Sequence, residues 1–281
     1  MNFFSLYKRA FLYKIKKKIN IDTQFLEDNI SLEKLFSFYK TDKANFYNNK
    51  KGHGYTSFYE THLKKLKNKN LKILEVGSFS GASAASFTKY FPNSEVFCVD
   101  LNISSFVYSS KKIHVFGANI INKKVIINIL NKIKKKYNFD QFDIIIDDGS
   151  HKLFDMLFSL NTLYKHVKKG GYYVIEDYKL AEIYDHLNQP NEISISTLIK
   201  KLKRKEKFES SIIEDQAKKL LLETVESANY YKGSLETSDI VFIKKKFFVW
   251  FILFLLLQKA FLAPGFQTSL LLYRTLQQTH L

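Results

Sequence analysis

Residues 142 to 151 read FDIIIDDGSH. The apolar run Ile144 to Ile146 is built for burial, yet it stops at Asp147 and Asp148, and Gly149, Ser150 and His151 follow. A short continuous apolar run bounded by turn residues predicts a strand buried on both faces, the kind found in parallel sheets covered by helices. The surrounding chain alternates to match. LKILEVG (71–77) predicts a strand, ASAASFTKYF (82–91) a helix, EVFCVD (95–100) a second strand and KIHVFG (112–117) a third. A helix is expected over about Asn122 to Lys136, then the FDIIID strand, a helix from about Lys152 to Val167, and the strand GYYVIED after Gly170. Beyond residue 190, STLIKKLKRKEKF and AKKLLLETV read as helices, while SANYYKG and DIVFIKKK read as an antiparallel pair closing the sheet. The expected fold is α/β: a mostly parallel, seven-stranded sheet with helices on both faces.

The bulk numbers agree. With 281 residues, 46% hydrophobic and 16% aromatic, the chain buries a sizeable core, which excludes disorder throughout. One cysteine, Cys98, cannot form an internal disulfide and points to a reducing compartment. The opening MNFFSLYKRAFLYKIKKK has no continuous apolar centre, so no signal peptide is expected. A net charge of +17 suits an anionic partner, but the lysines are scattered among asparagines and equally suit a solvated surface. Residues 1–20 carry six Lys/Arg and no acid. As a helix they would be amphipathic, suited to a membrane surface or to packing on the main domain. FFVWFILFLLL (247–257) is apolar but falls short of the roughly 20 residues of a spanning helix, and extending it would bury Lys259 at about 3 kcal/mol. The expected organisation is an N-terminal extension (1–38), a catalytic domain (39–246) and a hydrophobic tail (247–281). The expected location is the cytoplasm, at the inner face of its membrane, contacted through residues 1–20 and 247–263. A homo-oligomer using the tail as a contact helix is the alternative.

At the end of the first predicted strand, LEVGSFSGASA places Glu75 at the terminus, with Gly77 and Gly81 free to turn tightly before a helix. That is a nucleotide crevice by position. Phe79 stands where a pyrophosphate-binding loop would carry its second glycine, so an acid with two glycines suits a cationic, adenosine-bearing ligand better. Asp100, ending the second strand, is placed to accept hydrogen bonds from ribose hydroxyls.

With these residues the chain resembles the class I S-adenosylmethionine-dependent methyltransferases, which are Rossmann-like. Within them it is similar to the metal-dependent sugar O-methyltransferases of the macrocin/mycinamicin type. The resemblance runs from about Tyr39 to Lys245 and rests on YKTDK (39–43), HGYTSFYE (53–60), LEVGSFSG (74–81), IDDGSH (146–151) and GGYYVIEDY (170–178). It implies S-adenosylmethionine and Mg²⁺ as cofactors. It implies Asp148, Glu176 and Asp177 as metal ligands, with His151 as general base and Asp148 sharing the catalytic role. The cofactor-binding set it implies is Glu75, Gly77, Ser78, Gly81, Asp100, Tyr55 and Asp147, with Thr41, Asp42 and His53 lining or closing the site. Gly117-Ala118-Asn119 departs from the Gly-Asp or Gly-Ser-Gln that often follows the third strand of the family.

Elementary chemistry reaches the same place. Ligands of open α/β sheets bind beyond the carboxyl ends of the strands, where IDDGSH and VIED both end. Three carboxylates there offer hard oxygen ligands, which suit Mg²⁺ rather than zinc. Methyl transfer from a sulfonium needs an oxygen nucleophile in line and partly deprotonated; a metal and a neutral histidine provide that. The alternative for DDGSH is a plain strand-to-helix turn capped by Asp148 or Ser150. His53 and His62 alone read as surface histidines, and His114 as structural. The expected acceptor is a sugar hydroxyl, of a surface glycan or glycolipid. An RNA methyltransferase is a second reading prompted by KKLKRKEK, though that stretch offers mainly Phe208 for base stacking, so nucleic acid is not the expected partner. A phenol methyltransferase and a non-catalytic membrane-tethered protein of the same fold complete the alternatives.

Overall fold

The IDDGSH stretch lies at the centre of the sheet. In the computed structural model, which describes residues 3–27 and 29–247, the strands of the main sheet are β1 (Lys72–Val76), β2 (Glu95–Asp100), β3 (Ile113–Gly117), β4 (Phe142–Asp147), β5 (Val167–Glu176), β6 (Val225–Lys232) and β7 (Asp239–Lys245). They form one seven-stranded sheet in the order β6-β7-β5-β4-β1-β2-β3. β4 pairs in parallel with β1 (Glu75 beside Ile146) and with β5 (Asp147 beside Ile175). β7 runs antiparallel to both β5 and β6, the closing pair expected from the sequence.

The continuous apolar run of β4 follows from burial on both sides. Successive side chains of a strand point to opposite faces. Ile145 packs with Leu157 and Leu160 on one face, while Ile144 and Ile146 pack with Tyr59 and Phe87 on the other. The first face is covered by α5 (Lys123–Tyr137), α6 (Leu153–Leu163), α8 (Ile195–Arg204) and α9 (Asp215–Thr224). The second is covered by α2 (Leu32–Tyr39), α3 (Thr56–Leu63) and α4 (Ala82–Tyr90). In α5 the buried residues are Ile126, Leu130 and Ile133, one face of a helix, and Asn122 caps its start by accepting from the Val125 N–H.

Three expectations change. β5 starts at Val167 rather than after Gly170, because Gly170 at φ +79° and Gly171 absorb a bulge instead of ending the strand. α6 stops at Leu163 and a 3-10 turn, Tyr164–His166, completes the connection. The described residues up to 246 form one compact unit: Ile21, Leu35 and Phe36 are buried in the same cluster as Phe87, so no structural boundary falls at residue 38. The tail expectation, from residue 248 on, lies outside the described residues. Among the described residues no helix is long and apolar enough to cross a membrane.

His62, read as a surface histidine, is buried at 8% exposure; its ring stacks on Phe242 at 4.3 Å and its Nε2 lies 2.9 Å from the Tyr231 hydroxyl. Burial, with Lys65 and Lys244 nearby, pushes its pKa down to about 4. A histidine that stays neutral when folded but protonates when unfolded stabilises the fold above about pH 6.5 and loses that contribution as pH falls towards 4. The His62 ring resonances should therefore stay unshifted from pH 8 to pH 5. Between pH 6.5 and 5 the wild-type protein should lose about 1–2 kcal/mol that His62→Phe does not lose, as measured by urea denaturation.

Candidate active site

The site is assembled where β1, β4 and β5 end. The chain leaves β1 through Gly77, whose φ of +84° and whose contact with the Asp148 carbonyl leave no room for a Cβ. Two main-chain bonds lock this bend: Gly77 N–H to Val99 O at 2.9 Å and Asp148 N–H to Val76 O at 2.9 Å. Gly81, at φ +80°, starts α4, and a side chain there would strike the Phe106 ring. The bend opens a cavity of about 750 Å³, whose lining includes Thr41, Gly77, Ser78, Asp100, Asp148 and His151. Ala118 and Asn119, from the stretch that departs from the family pattern, also line it. Asp100 accepts from the Phe79 N–H at 2.8 Å and from the Asn102 N–H at 2.5 Å, which holds its carboxylate at the cavity rim.

Glu75 sits behind this wall, fully buried. Ser83 donates to its Oε1, and its Oε2 has no partner. Burial raises its pKa, with Lys43 and Ser83 pulling the other way.

At the end of β4, Asp148 and His151 lie 3.9 Å apart (Oδ1 to Nε2), with His151 in a left-handed conformation at φ 57°. Asp177, just past β5, completes a group in which one ligand atom from each of Asp148, His151 and Asp177 lies within 4.8 Å of the others. The HGY motif positions Asp177. Tyr55 donates its hydroxyl to Asp177 Oδ1, and His53 Nδ1 lies 3.1 Å from the same oxygen. Burial alone would raise the Asp177 carboxyl, but His53 and Tyr55 outweigh it and hold its pKa below the ordinary value. Asp148 does not cap α6: Ser150 takes the turn, accepting from the Lys152 N–H at 3.3 Å and donating to Asp155 at 2.5 Å.

Three placements differ from expectation. Asp147, expected at the cofactor, points into the opposite face of the sheet, where the Tyr173 hydroxyl donates to it at 3.2 Å and burial lifts its pKa to about 6. Strand alternation is the reason, since consecutive residues of DD face opposite ways. Tyr55 does not line the cavity; it lies beneath Asp177 and acts as its hydrogen-bond donor. Glu176, expected to share a metal with Asp148 and Asp177, is 2% exposed. It accepts from Tyr59 at one oxygen and from Lys43 at the other, the latter at 2.5 Å. Sequence reading passed over Tyr59 and Lys43 as site residues. Both lie inside the quoted motifs, but an isolated lysine reads by default as a surface residue.

This fold, with a glycine bend at the end of its first strand and an acid at the end of its second, defines a methyltransferase domain. Residues 67–236 match the family model described as a methyltransferase domain, and the chain belongs to that family. Among curated relatives, it is 30% identical over 153 residues to mycinamicin VI 2''-O-methyltransferase of Micromonospora griseorubida, covering 52% of this chain and 35% of that protein. It is 32% identical over 132 residues to L-olivosyl-oleandolide 3-O-methyltransferase of Streptomyces antibioticus, covering 44% and 32%. The chain thus spans about a third of the curated relatives it matches. Among solved structures, the MycE methyltransferase of the mycinamycin pathway, in complex with Mg, SAH and mycinamycin VI, superposes with a TM-score of 0.58 at 22% identity. The match covers 78% of this chain and 55% of that one, and shows the shared fold.

The glycine bend can be tested directly. Gly77→Ala combines a left-handed backbone with a main-chain clash and should cost about 2–4 kcal/mol by denaturant unfolding. Gly149→Ala meets its nearest atom, Asp147 Oδ1, at 3.3 Å, and should cost less than about 1 kcal/mol.

Proposed function

We propose that the protein is an S-adenosylmethionine- and Mg²⁺-dependent O-methyltransferase whose acceptor is a sugar hydroxyl. The observation that carries this reading is the cluster of Asp148, His151 and Asp177, of which Asp148 and His151 line the cavity walled by Gly77, Ser78 and Asp100. The donor chemistry fits both groups. Carboxylate oxygens from two strand ends suit a hard divalent cation, and the unpartnered buried oxygen of Glu75, behind Ser78 and Ser83, supplies negative potential for a cationic ligand. Gly77 and Ser78 would receive the amino-acid part of the cofactor, and Asp100 its ribose. Asp148 and Asp177 would hold the metal. When bound, the cofactor supplies an electrophilic methyl group and the metal makes the acceptor hydroxyl more acidic.

The chain's own residues do the rest. His151 lines the cavity beside Asp148, where it can take the acceptor's proton while the carboxylate steadies the resulting imidazolium. His53 and Tyr55 keep Asp177 ionised and aimed. The RNA reading is weakened because Phe208, the aromatic of the basic stretch, is 6% exposed and cannot stack on a base.

Relatives whose names print a glycosyl group, L-olivosyl in one and alpha-L-rhamnosyl in two others, with an O-methyltransferase activity support a sugar-bearing acceptor. With labelled S-adenosylmethionine and a lysate of the source cells, label should enter a glycan or glycolipid fraction with Mg²⁺ and not with EDTA. His151→Ala should slow that transfer about 10²- to 10⁴-fold while cofactor binding persists, and Asp148→Ala should abolish it. Label in RNA instead would replace the sugar reading.

A membrane-borne acceptor is supported by α1 (Phe3–Ile15), whose protein-facing and exposed sides differ in character. Arg9 of α1, and Lys16 just after it, reach the protein: Arg9 donates to Leu101 O at 2.9 Å, and Lys16 to Ser104 O and Ser105 O at 3.1 and 3.2 Å. Tyr7, Phe11 and Ile15, spaced four apart on one stripe, face outward at 70%, 55% and 63% exposure, with Lys8, Lys14 and Lys17 exposed around them. An apolar stripe flanked by ammonium groups matches an anionic bilayer surface. Since Leu101 also lines the cavity, docking through α1 would bring the site to a lipid-linked sugar. The full chain should co-sediment with phosphatidylglycerol vesicles and not with phosphatidylcholine vesicles. Phe11→Glu with Ile15→Glu should cut that binding about tenfold, whereas unchanged binding would remove α1 from the membrane reading.

A further inference from the structure

Lys43 is the most heavily engaged cation of the site and has no role in the reading so far. It is 1% exposed, and its Nζ lies 2.5 Å from Asp148 Oδ2 and 2.5 Å from Glu176 Oε2. Its backbone is clamped. Lys43 O accepts from the Tyr55 N–H at 2.8 Å, and the flanking Asp42 O and Ala44 O accept from the His53 and Gly54 N–H groups at 2.6 and 3.0 Å. The TDK and HGY segments are therefore one strapped unit that delivers an ammonium into the acid cluster.

The position is what matters. Asp148 and Glu176 end adjacent strands, and the point between them is where an ion sharing both would sit. An ammonium 2.5 Å from each oxygen occupies it. A magnesium ion needs its carboxylate oxygens at about 2.0–2.1 Å in near-octahedral order, and cannot share those same oxygens with an ammonium between them. Tyr59 holds the other oxygen of Glu176, so that carboxylate cannot simply turn away.

We propose that Lys43 is a built-in counter-ion: it occupies the cation position between Asp148 and Glu176 in the metal-free protein, and full metal binding is an exchange in which the divalent ion displaces its ammonium. The inference rests on the metal reading given above and adds to it. The metal enters between Asp148 Oδ1, the oxygen Lys43 does not hold, and Asp177, and gains Glu176 only when Lys43 gives way. The acid cluster stays folded without metal, and affinity for metal is held below that of an unopposed three-acid site.

The test uses the full chain and Mn²⁺ as the probe, followed by the electron paramagnetic resonance signal of the free ion, with thermal melting in EDTA as a second readout. Lys43→Met removes the charge and keeps much of the volume. It should bind Mn²⁺ about tenfold or more tightly than wild type, melt several degrees lower in EDTA, and recover that loss when Mn²⁺ is added. A merely structural lysine would lower the melting temperature without tightening metal binding, so an affinity within about twofold of wild type, or weaker, overturns the proposal. If the Met variant does not fold, Lys43→Gln, which can still donate to one carboxylate, carries the same expectation. Should neither wild type nor variant bind Mn²⁺ at millimolar concentration, the metal reading fails and this inference fails with it. Equal binding by both fails only the exchange.

Discussion

The structure depends on neutralising a set of carboxylates where three parallel strands end side by side. Glu75, Asp148, Glu176 and Asp177 are brought together by the register of β1, β4 and β5, and three of the four are 5% exposed or less. Acids gathered in that way repel one another and lose hydration, and folding tolerates them only when each finds a donor or a cation. The segments outside the sheet answer this demand. Lys43 serves Asp148 and Glu176, Tyr59 serves Glu176, His53 and Tyr55 serve Asp177, and Ser83 serves Glu75.

That division of labour explains why residues before β1 belong to the same body as the sheet. Had α2 and α3 been a separable extension, Lys43, His53, Tyr55 and Tyr59 could not be held to the precision that buried ion pairs require. Instead Leu35, Phe36 and Tyr59 pack in one cluster with Phe87 of α4, and the TDK–HGY strap is fastened by main-chain hydrogen bonds. Core packing and site chemistry therefore share the same residues. One oxygen of Glu75 remains unpaired in this arrangement, a cost that a cationic ligand in the adjoining cavity would offset.

The sheet was legible because its information is local. Apolar runs bounded by Gly, Asp and Asn mark the strands, and the 3.6-residue period of KKVIINILNKIKKK marks a helix whichever partner it packs on. Boundaries were less legible where glycine permits two outcomes, as at Gly170 and Gly171, which carry a bulge where a strand start was expected. Of the site, Gly77, Ser78, Asp100, Asp148 and His151 lie at the cavity, where strand-end position alone places them.

Other residues were misplaced for a physical reason. Asp147 and Asp148 are chemically identical neighbours, and only the pleat decides that one enters the core while the other enters the site. Sequence marked His62 as exposed and left Lys43 without a role, because polar residues default to the surface unless a distant partner exists. Tyr231 and Phe242 are 169 and 180 positions from His62, and Asp148 and Glu176 lie 105 and 133 positions from Lys43. By itself, the sequence determined the α/β sheet, the strand-end acids and the glycine bend, since each is written in a few consecutive residues. Only the tertiary structure decided which acids stay open, which are already paired, and which cation pairs them. Burial and charge pairing are set by residues that meet through folding and not along the chain.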